Sequence, residues 1–330
     1  MILSRRAVLA LPLLAAPGLA HAQGAWAPSR PIRLVVPFAA GGAVDITGRL
    51  LAERLQPILG QPVVVENRGG AGGNLGADVV AKADPDGHTI LLGTASILAA
   101  NKFLYQRGMP FDPLRDFAPV TRVSTGTVLL VVNADRPWRS FADLVAAAKA
   151  APGRISMGSS GTGTPSHLTL ASINRAAGME INHIPYRGGG PAITDLLAGT
   201  IDMMFDVIPA LMPHVRSGRF RPLAVGSAER ISYVPELREV PGMREVLPNS
   251  GIDMQSWYAT VLPARTPAPV VVRWHEALSQ VVRSADFRER LSTLGFEPVA
   301  DETPAAFGQY LNGQLAVWER LVRDSGASLE

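Results

Sequence analysis

The sequence predicts an α/β protein of two lobes joined by two crossing strands, with a cleft between the lobes. Three observations carry this expectation. Short apolar runs alternate with helix-periodic segments in two successive β-α-β-α-β series, an order that implies right-handed crossovers and parallel sheets. Residues 120–133 and 255–262 are too apolar to be linkers and read as strands passing between the lobes. Finally, 330 residues with 47% hydrophobic and 18% charged side chains supply a core for about two domains.

The chain opens with a segment that does not belong to the fold. Residues 1–22 carry an Arg5-Arg6 pair, an apolar stretch from Ala7 to Leu19 and an Ala20-His21-Ala22 cleavage site. This reads as an export signal, too short and too interrupted by Pro and Gly to span a bilayer. The run from Ser4 to Leu9 fits a twin-arginine signal and an ordinary Sec signal about equally. Removing the segment after Ala22 takes its two arginines away and lowers the formal charge from +3 to +1. No later stretch reaches 18 consecutive apolar residues, so a soluble periplasmic protein is expected.

The first series begins at 32–36, an apolar run interrupted only by Arg33, which reads as a strand buried on both faces. Ile46, Leu50, Leu51, Leu55 and Ile58 follow at helical spacing, closed by Gly60. Strands at 63–65 and 89–92 flank a helix at 74–83. The second series runs through a strand at 155–157, a helix from Pro165, a strand at 183–185, a helix from Pro191 and a strand at 201–205. A further helix and a strand at 223–226 complete it. Residues from Pro267 to about Asp324 read as helical and are expected to return to the first lobe. The lobes are therefore drawn as 23–124 with 255–330, and 125–254.

Composition excludes several functions. Cysteine is absent, which removes disulfide scaffolds, thiol catalysis, iron–sulfur clusters and Cys-ligated zinc. The near-neutral mature charge does not suit a nucleic-acid binder. The 32 glycines and 27 prolines follow no collagen period and belong to turns.

Three strand-to-helix loops carry the functional signal, because open α/β sheets bind ligands beyond the carboxyl ends of their strands. In the first, Phe38, Ala39, Ala40, Gly41 and Gly42 let backbone amides approach a ligand at a helix N-terminus that favours anions. Asp45, in the first helical turn, either complements the helix dipole or contacts a ligand amine, hydroxyl or water. In the second loop, Ser159, Gly161, Thr162, Thr164 and Ser166 offer hydroxyls and amides to a carboxylate, with Thr164 as N-cap and Pro165 at the first helical position. His167 either bonds the ligand or packs at the helix start. In the third, Tyr186 offers a wall for a small ligand, and Arg187 is either a solvated charge or an anion partner. Asp206 is a cleft candidate at a strand end, whereas Asp202 reads as a turn residue. Thr94 and Ser96, past the strand at 89–92, join the candidate binding residues.

Enzyme signatures are missing on spacing alone. The glycine run at 69–76 breaks the dinucleotide register at Leu75. Ser160 lacks a nucleophile elbow, since Thr162 stands where its last glycine belongs. His275-Glu276 does not continue to a zincin motif, and no phosphate-binding loop occurs. No catalytic residue, metal or cofactor is expected.

The segments 33–42 (RLVVPFAAGG), 63–76 (VVVENRGGAGGNLG), 85–93 (PDGHTILLG), 158–168 (GSSGTGTPSHL) and 186–206 (YRGGGPAITDLLAGTIDMMFD) occur here in one order. Through them essentially the whole mature chain resembles the substrate-binding proteins of tripartite tricarboxylate transporters, the Bug (Bordetella uptake gene) family. Gly69 and His88 depart from the proline and tyrosine common there. The resemblance implies a type II periplasmic-binding-protein fold closing like a flytrap on a small organic carboxylate: a di- or tricarboxylate, an acidic amino acid or an aromatic acid. It implies that loops matching Phe38–Gly42 and Ser159–His167 grip a carboxylate through amides and waters. A permease of one large and one small integral subunit would receive the ligand from a monomeric binding protein. Hinge bending is expected near 124–127 and 253–256, and Phe38, Tyr186 and Trp257 leave room for an aromatic acid. A sensing module for a receptor kinase, or a periplasmic enzyme using Asp45, His167 or Asp206, are the competing readings.

Overall fold

The computed structural model describes residues 26–105, 108–293 and 295–329; the expected signal segment lies outside them. Strand β1 (Ile32–Val36) leads into helix α1 (Ala43–Leu59), which Gly60 ends in the left-handed conformation at φ +70°. Next come β2 (Val63–Asn67), a 3₁₀ turn, α2 (Asn74–Ala81) and β3 (Thr89–Thr94). A π-helical turn at Ser96–Ala100 runs directly into α3 (Asn101–Leu104). The 17-residue β4 (Phe117–Asn133) then crosses to the second lobe.

That lobe contains α4 (Phe141–Ala150), β5 (Ser156–Ser159), α5 (Pro165–Ala177), β6 (Asn182–Pro185) and α6 (Gly189–Ala198). It continues through β7 (Met203–Val207), α7 (Ile208–Arg216), β8 (Phe220–Val225) and the short α8 (Met243–Val246). Strand β9 (Gln255–Pro263) returns the chain, followed by α9 (Ala268–Arg283), α10 (Ala285–Thr293), β10 (Glu297–Pro298) and α11 (Pro304–Ser325).

Strands follow one path, β2-β1-β3-β9-β4-β7-β5-β6, with β8 and β10 also on β4. The expected parallel trios are present: β1 lies between β2 and β3, and β5 between β6 and β7, all parallel. Each trio meets the crossing strands antiparallel, β3 against β9 and β7 against β4. The first half of β4 pairs with β9 from Phe117 to Thr127, and the second half pairs with β7 and β8 from Val128 to Asn133. At the passage, the Thr127 hydroxyl donates to the Met254 carbonyl at 2.8 Å and the Thr125 hydroxyl to that of Ser256 at 3.2 Å.

Three differences from the sequence expectation have local causes. Strand β7 sits two residues later than 201–205, so Asp206 lies within it. Asp202 precedes it, accepting from Ser156 N–H at 2.7 Å and pairing with Arg136 at 2.7 Å. Helix α4 starts with a reciprocal capping box, Ser140 accepting from Asp143 N–H at 3.1 Å and Asp143 from Ser140 N–H at 3.0 Å. The C-terminal part is not uniformly helical, because β10 adds Glu297 and Pro298 opposite Thr125 and Ser124 of β4. Its helices pack on α1 and β4, and α11 also touches α5 in the second lobe.

Candidate functional site

All three glycine-bearing loops meet where the parallel trios end. Gly42 precedes α1, Thr164 precedes α5 and Gly188 precedes α6, and none of the three helix starts is capped by the side chain of its N-cap residue. The first turn of a helix leaves N–H groups without intrahelical partners and carries the positive end of the dipole. Residues from all three starts, namely Gly42 to Val44, Thr164 to Ser166, and Gly189, line one inter-lobe cavity. Phe38, Thr94 and Ser96 complete its first-lobe wall, and Ser160, Asp206 and Val207 its second. The crossing strands close it with Val128, Ser256 and Tyr258.

No lysine, arginine or histidine lines this cavity among the described residues, and its ionisable side chains are Asp206 and Tyr258. Asp206 is 5% exposed; its Oδ1 accepts the Val207 N–H at 2.8 Å, while Oδ2 has no partner. Burial pushes its carboxyl up to about 7 against the lowering effect of that N–H bond. Burial, with the nearby Asp206 carboxyl, also drives the Tyr258 phenol well above its ordinary value.

Other expected binding residues are used differently. Asp45 faces away from the cavity: its Oδ2 accepts from Gly41 N–H and Arg49 Nε, and its Oδ1 from Asn67, each at 3.0 Å. Burial disfavours the ionised form, but these bonds outweigh it and hold the carboxyl below its usual range. Asn67 also donates to the Phe38 carbonyl at 2.9 Å, so Asp45 and Asn67 together fix the first loop. Ala39, Ala40 and Gly41 do not line the cavity either. The Ala39 N–H crosses to the Arg187 carbonyl at 2.9 Å, joining the lobes by backbone alone. Gly190 lies so close to the Ala40 carbonyl that a Cβ would overlap it, and at Gly189 a Cβ would overlap Asp206 Oδ2. Gly190 thus lets the lobes touch, and Gly189 makes room for Asp206 within the second lobe.

The second loop is braced from behind. Ser159 is fully buried, with its hydroxyl 2.6 Å from His183 Nε2, and Gly161 N–H donates to it at 3.2 Å. His167 accepts Gly163 N–H on Nδ1 at 3.1 Å and stacks on His183 with ring centroids 4.2 Å apart. The Thr164 hydroxyl donates to the Gly161 carbonyl at 2.6 Å instead of capping α5. Gly161, Thr162 and Tyr186 line an outer groove that shares Phe38 and Ser160 with the cavity, and Tyr186 donates to Asp195 at 2.6 Å. Trp257 is not a wall of the site: it donates to Gln314 at 3.1 Å under α11, and its neighbour Tyr258 faces the cavity instead.

Sequence reasoning missed Ser160, Gly189, Ser256 and Tyr258 among the lining side. Strand phase puts Ser256 and Tyr258 on one face of β9 opposite Trp257, but it does not tell which of the two faces meets the cavity.

The stacked histidines have a measurable consequence. Burial pushes both imidazoles down to about 4, with His167 adding to the shift on His183. A depressed folded-state pKa means the unfolded chain binds the extra protons, so this contribution is complete above the unfolded value near 6.5 and is lost as pH falls toward 4. Discounted for partial exposure, the pair should cost the parent about 2–3 kcal/mol between pH 6.5 and 4.5 relative to a His167→Gln/His183→Gln variant. Urea unfolding across that range tests this, and identical pH slopes for the two proteins would refute it.

Residues 47–327 match the tripartite tricarboxylate transporter family receptor profile, named TctC. The chain belongs to that family. The receptor is similar to protein BugT of Bordetella pertussis, 35% identical over 303 residues that cover 92% of this chain and 91% of BugT. It is similar in structure to the periplasmic binding protein BugD, at 34% identity and TM-score 0.86, covering 92% of this chain and 100% of BugD. An R. palustris protein solved with adipate is equally alike, at 34% identity and TM-score 0.85, covering 92% of this chain and 99% of that one. The receptor thus has the two-lobed periplasmic-binding-protein fold. No helix among its described residues is long and apolar enough to cross a membrane.

Proposed function

We propose that this receptor captures a small organic carboxylate of about four to eight carbons between its lobes and delivers it to a membrane permease. The observation that carries this reading is the convergence of three helix starts without side-chain caps on one cavity that, among the described residues, holds no cationic side chain. Such a site grips an anion through N–H groups and hydroxyls, as helix N-termini do. A relative solved with adipate supports the ligand class.

The mature chain starts after Ala22 and works as a monomer in the periplasm. Its lobes, 23–124 with 255–330 and 125–254, close by bending where Thr125 and Thr127 bridge to Ser256 and Met254. A ligand favours the closed form only through contacts with both lobes, which Phe38, Thr94 and Ser96 on one side and Ser160, Ser166 and Asp206 on the other would provide. The protein carries no reaction forward: Ser159 and His183 approach each other, but Ser159 is sealed from any substrate.

Calorimetry on protein stripped of endogenous ligand tests this with adipate, malate, succinate, benzoate and glutamate as probes. At least one is expected to bind 1:1 without turnover. Ligand at a hundred times its Kd should add about 2.7 kcal/mol of stability in thermal unfolding. Binding of a neutral sugar or a simple amine, with none of the acids, would reject the proposal.

A further inference from the structure

Asp206 is the feature of the cavity that anion binding alone does not use. Asp206 lines the cavity, and its Oδ2 is buried against the start of α6 with no hydrogen-bond partner. A partnerless buried carboxylate oxygen in a site that takes anions is costly unless the group is neutral or meets a donor on the ligand. The surroundings supply no counter-charge. From α1, α5, α6, β3 and β4 the cavity receives Gly, Ala, Val, Thr, Ser and Pro, and from β9 Ser256 and the phenol of Tyr258. Asp45 of α1 is engaged with Arg49 and Asn67, and the imidazoles of α5 and β6 stack on each other behind Ser159.

Resting on the carboxylate reading above, we propose that Asp206 binds ligand in its protonated form, donating from Oδ2 to the second carboxylate of a dicarboxylic acid, so that each dianion is captured together with one proton. Two carboxyl groups in hydrogen-bond contact cannot both stay ionised, and an arriving dianion raises the pKa of a group that burial alone has brought to about 7. The helix starts around the cavity hold the first carboxylate; the acid proton bridges the second to Asp206. An ammonium group here would face the positive ends of α1, α5 and α6, which disfavours amino acids at this position. The receptor would thereby discriminate dicarboxylates from monocarboxylates of similar length and from amino acids.

Calorimetric titration of the full mature protein with adipate decides the matter, because adipate is doubly ionised throughout the range from pH 6.5 to 9. Affinity should be nearly constant up to pH 7 and then weaken by up to about tenfold per pH unit. Titration at pH 8 in phosphate and in Tris, whose heats of protonation differ, should show uptake of close to one proton per adipate. Asp206→Asn keeps an N–H donor in place, so its adipate affinity should be independent of pH and its proton uptake zero, whereas Asp206→Ala should bind at least tenfold more weakly at every pH. Proton release, a pH-independent parent, or the parent's pH slope persisting in Asp206→Asn overturns the inference while leaving the carboxylate reading intact. Failure of adipate and every other acid to bind at any pH removes that reading and this inference with it.

Discussion

Replacing Gly190 with alanine should weaken carboxylate binding about a hundredfold, equivalent to some 2.7 kcal/mol, while the second lobe stays folded. Gly190 lies in the first turn of α6, where alanine is the better helix former by up to about 1 kcal/mol, so the local structure gains. The loss comes from across the cleft. A Cβ at this position would overlap the Ala40 carbonyl oxygen and crowd its carbon, both backbone of the opposite lobe, so neither can rotate away as a side chain would. The lobes would have to part, and with them the Ala39–Arg187 bond and the residues that converge on the cavity. Calorimetry with the best acid of the panel, together with the radius of gyration in its presence, checks this. Parent-like affinity at parent-like compactness would show that the contact between Gly190 and Ala40 does not limit closure.

The second large effect concerns stability. Asp301→Ala should destabilise the protein by about 3 kcal/mol, the lower range for breaking a buried pair. Asp301 is 6% exposed and accepts from the Arg122 guanidinium at 2.7 and 3.0 Å and from the Arg122 N–H at 2.8 Å. The same guanidinium lies 3.8 Å above the ring of Tyr310, and the Asp301 N–H reaches the Thr121 hydroxyl at 2.9 Å. Removing the carboxylate strands a half-buried cation and frees the segment that carries α11 from β4. Denaturant unfolding measures the loss, and a change under 1 kcal/mol would mean that water replaces the carboxylate freely.

Both effects depend on contacts that a sequence shows unevenly. The parallel trios were legible because β1 and β3 are short, mostly apolar runs and α1 between them ends at Gly60. The convergence of three glycine loops on one edge followed from that order alone. Residue roles within the loops did not. Asp45 and Asp206 both stand at strand-to-helix junctions, yet one is neutralised and the other left alone. The difference is made by Arg49 one helical turn on, by the Gly41 N–H and by Asn67, brought from β2 by the sheet, whereas no cation among the described residues lines the cavity beside Asp206. Trp257 and Tyr258 could not be told apart because β9 is buried on both faces almost throughout, which erases the alternation that reveals which side faces a ligand. Helix α4 was visible in its Ser140–Asp143 box but lay between two stronger signals. Strand β10 has only two residues and carries no pattern to read.

The long strand β4 has a mechanical consequence. Because one continuous ribbon hydrogen-bonds to β9 in its first half and to β7 and β8 in its second, the two lobes share a structural member and are not merely tethered. Relative rotation of the lobes then has to be taken up as extra twist in a two-stranded ribbon, which behaves as a torsion bar: soft about its own axis, stiff against stretching and sideways shear. In the proposed closure such a bar would return the lobes to register after each excursion and narrow their motion to a single rotational coordinate.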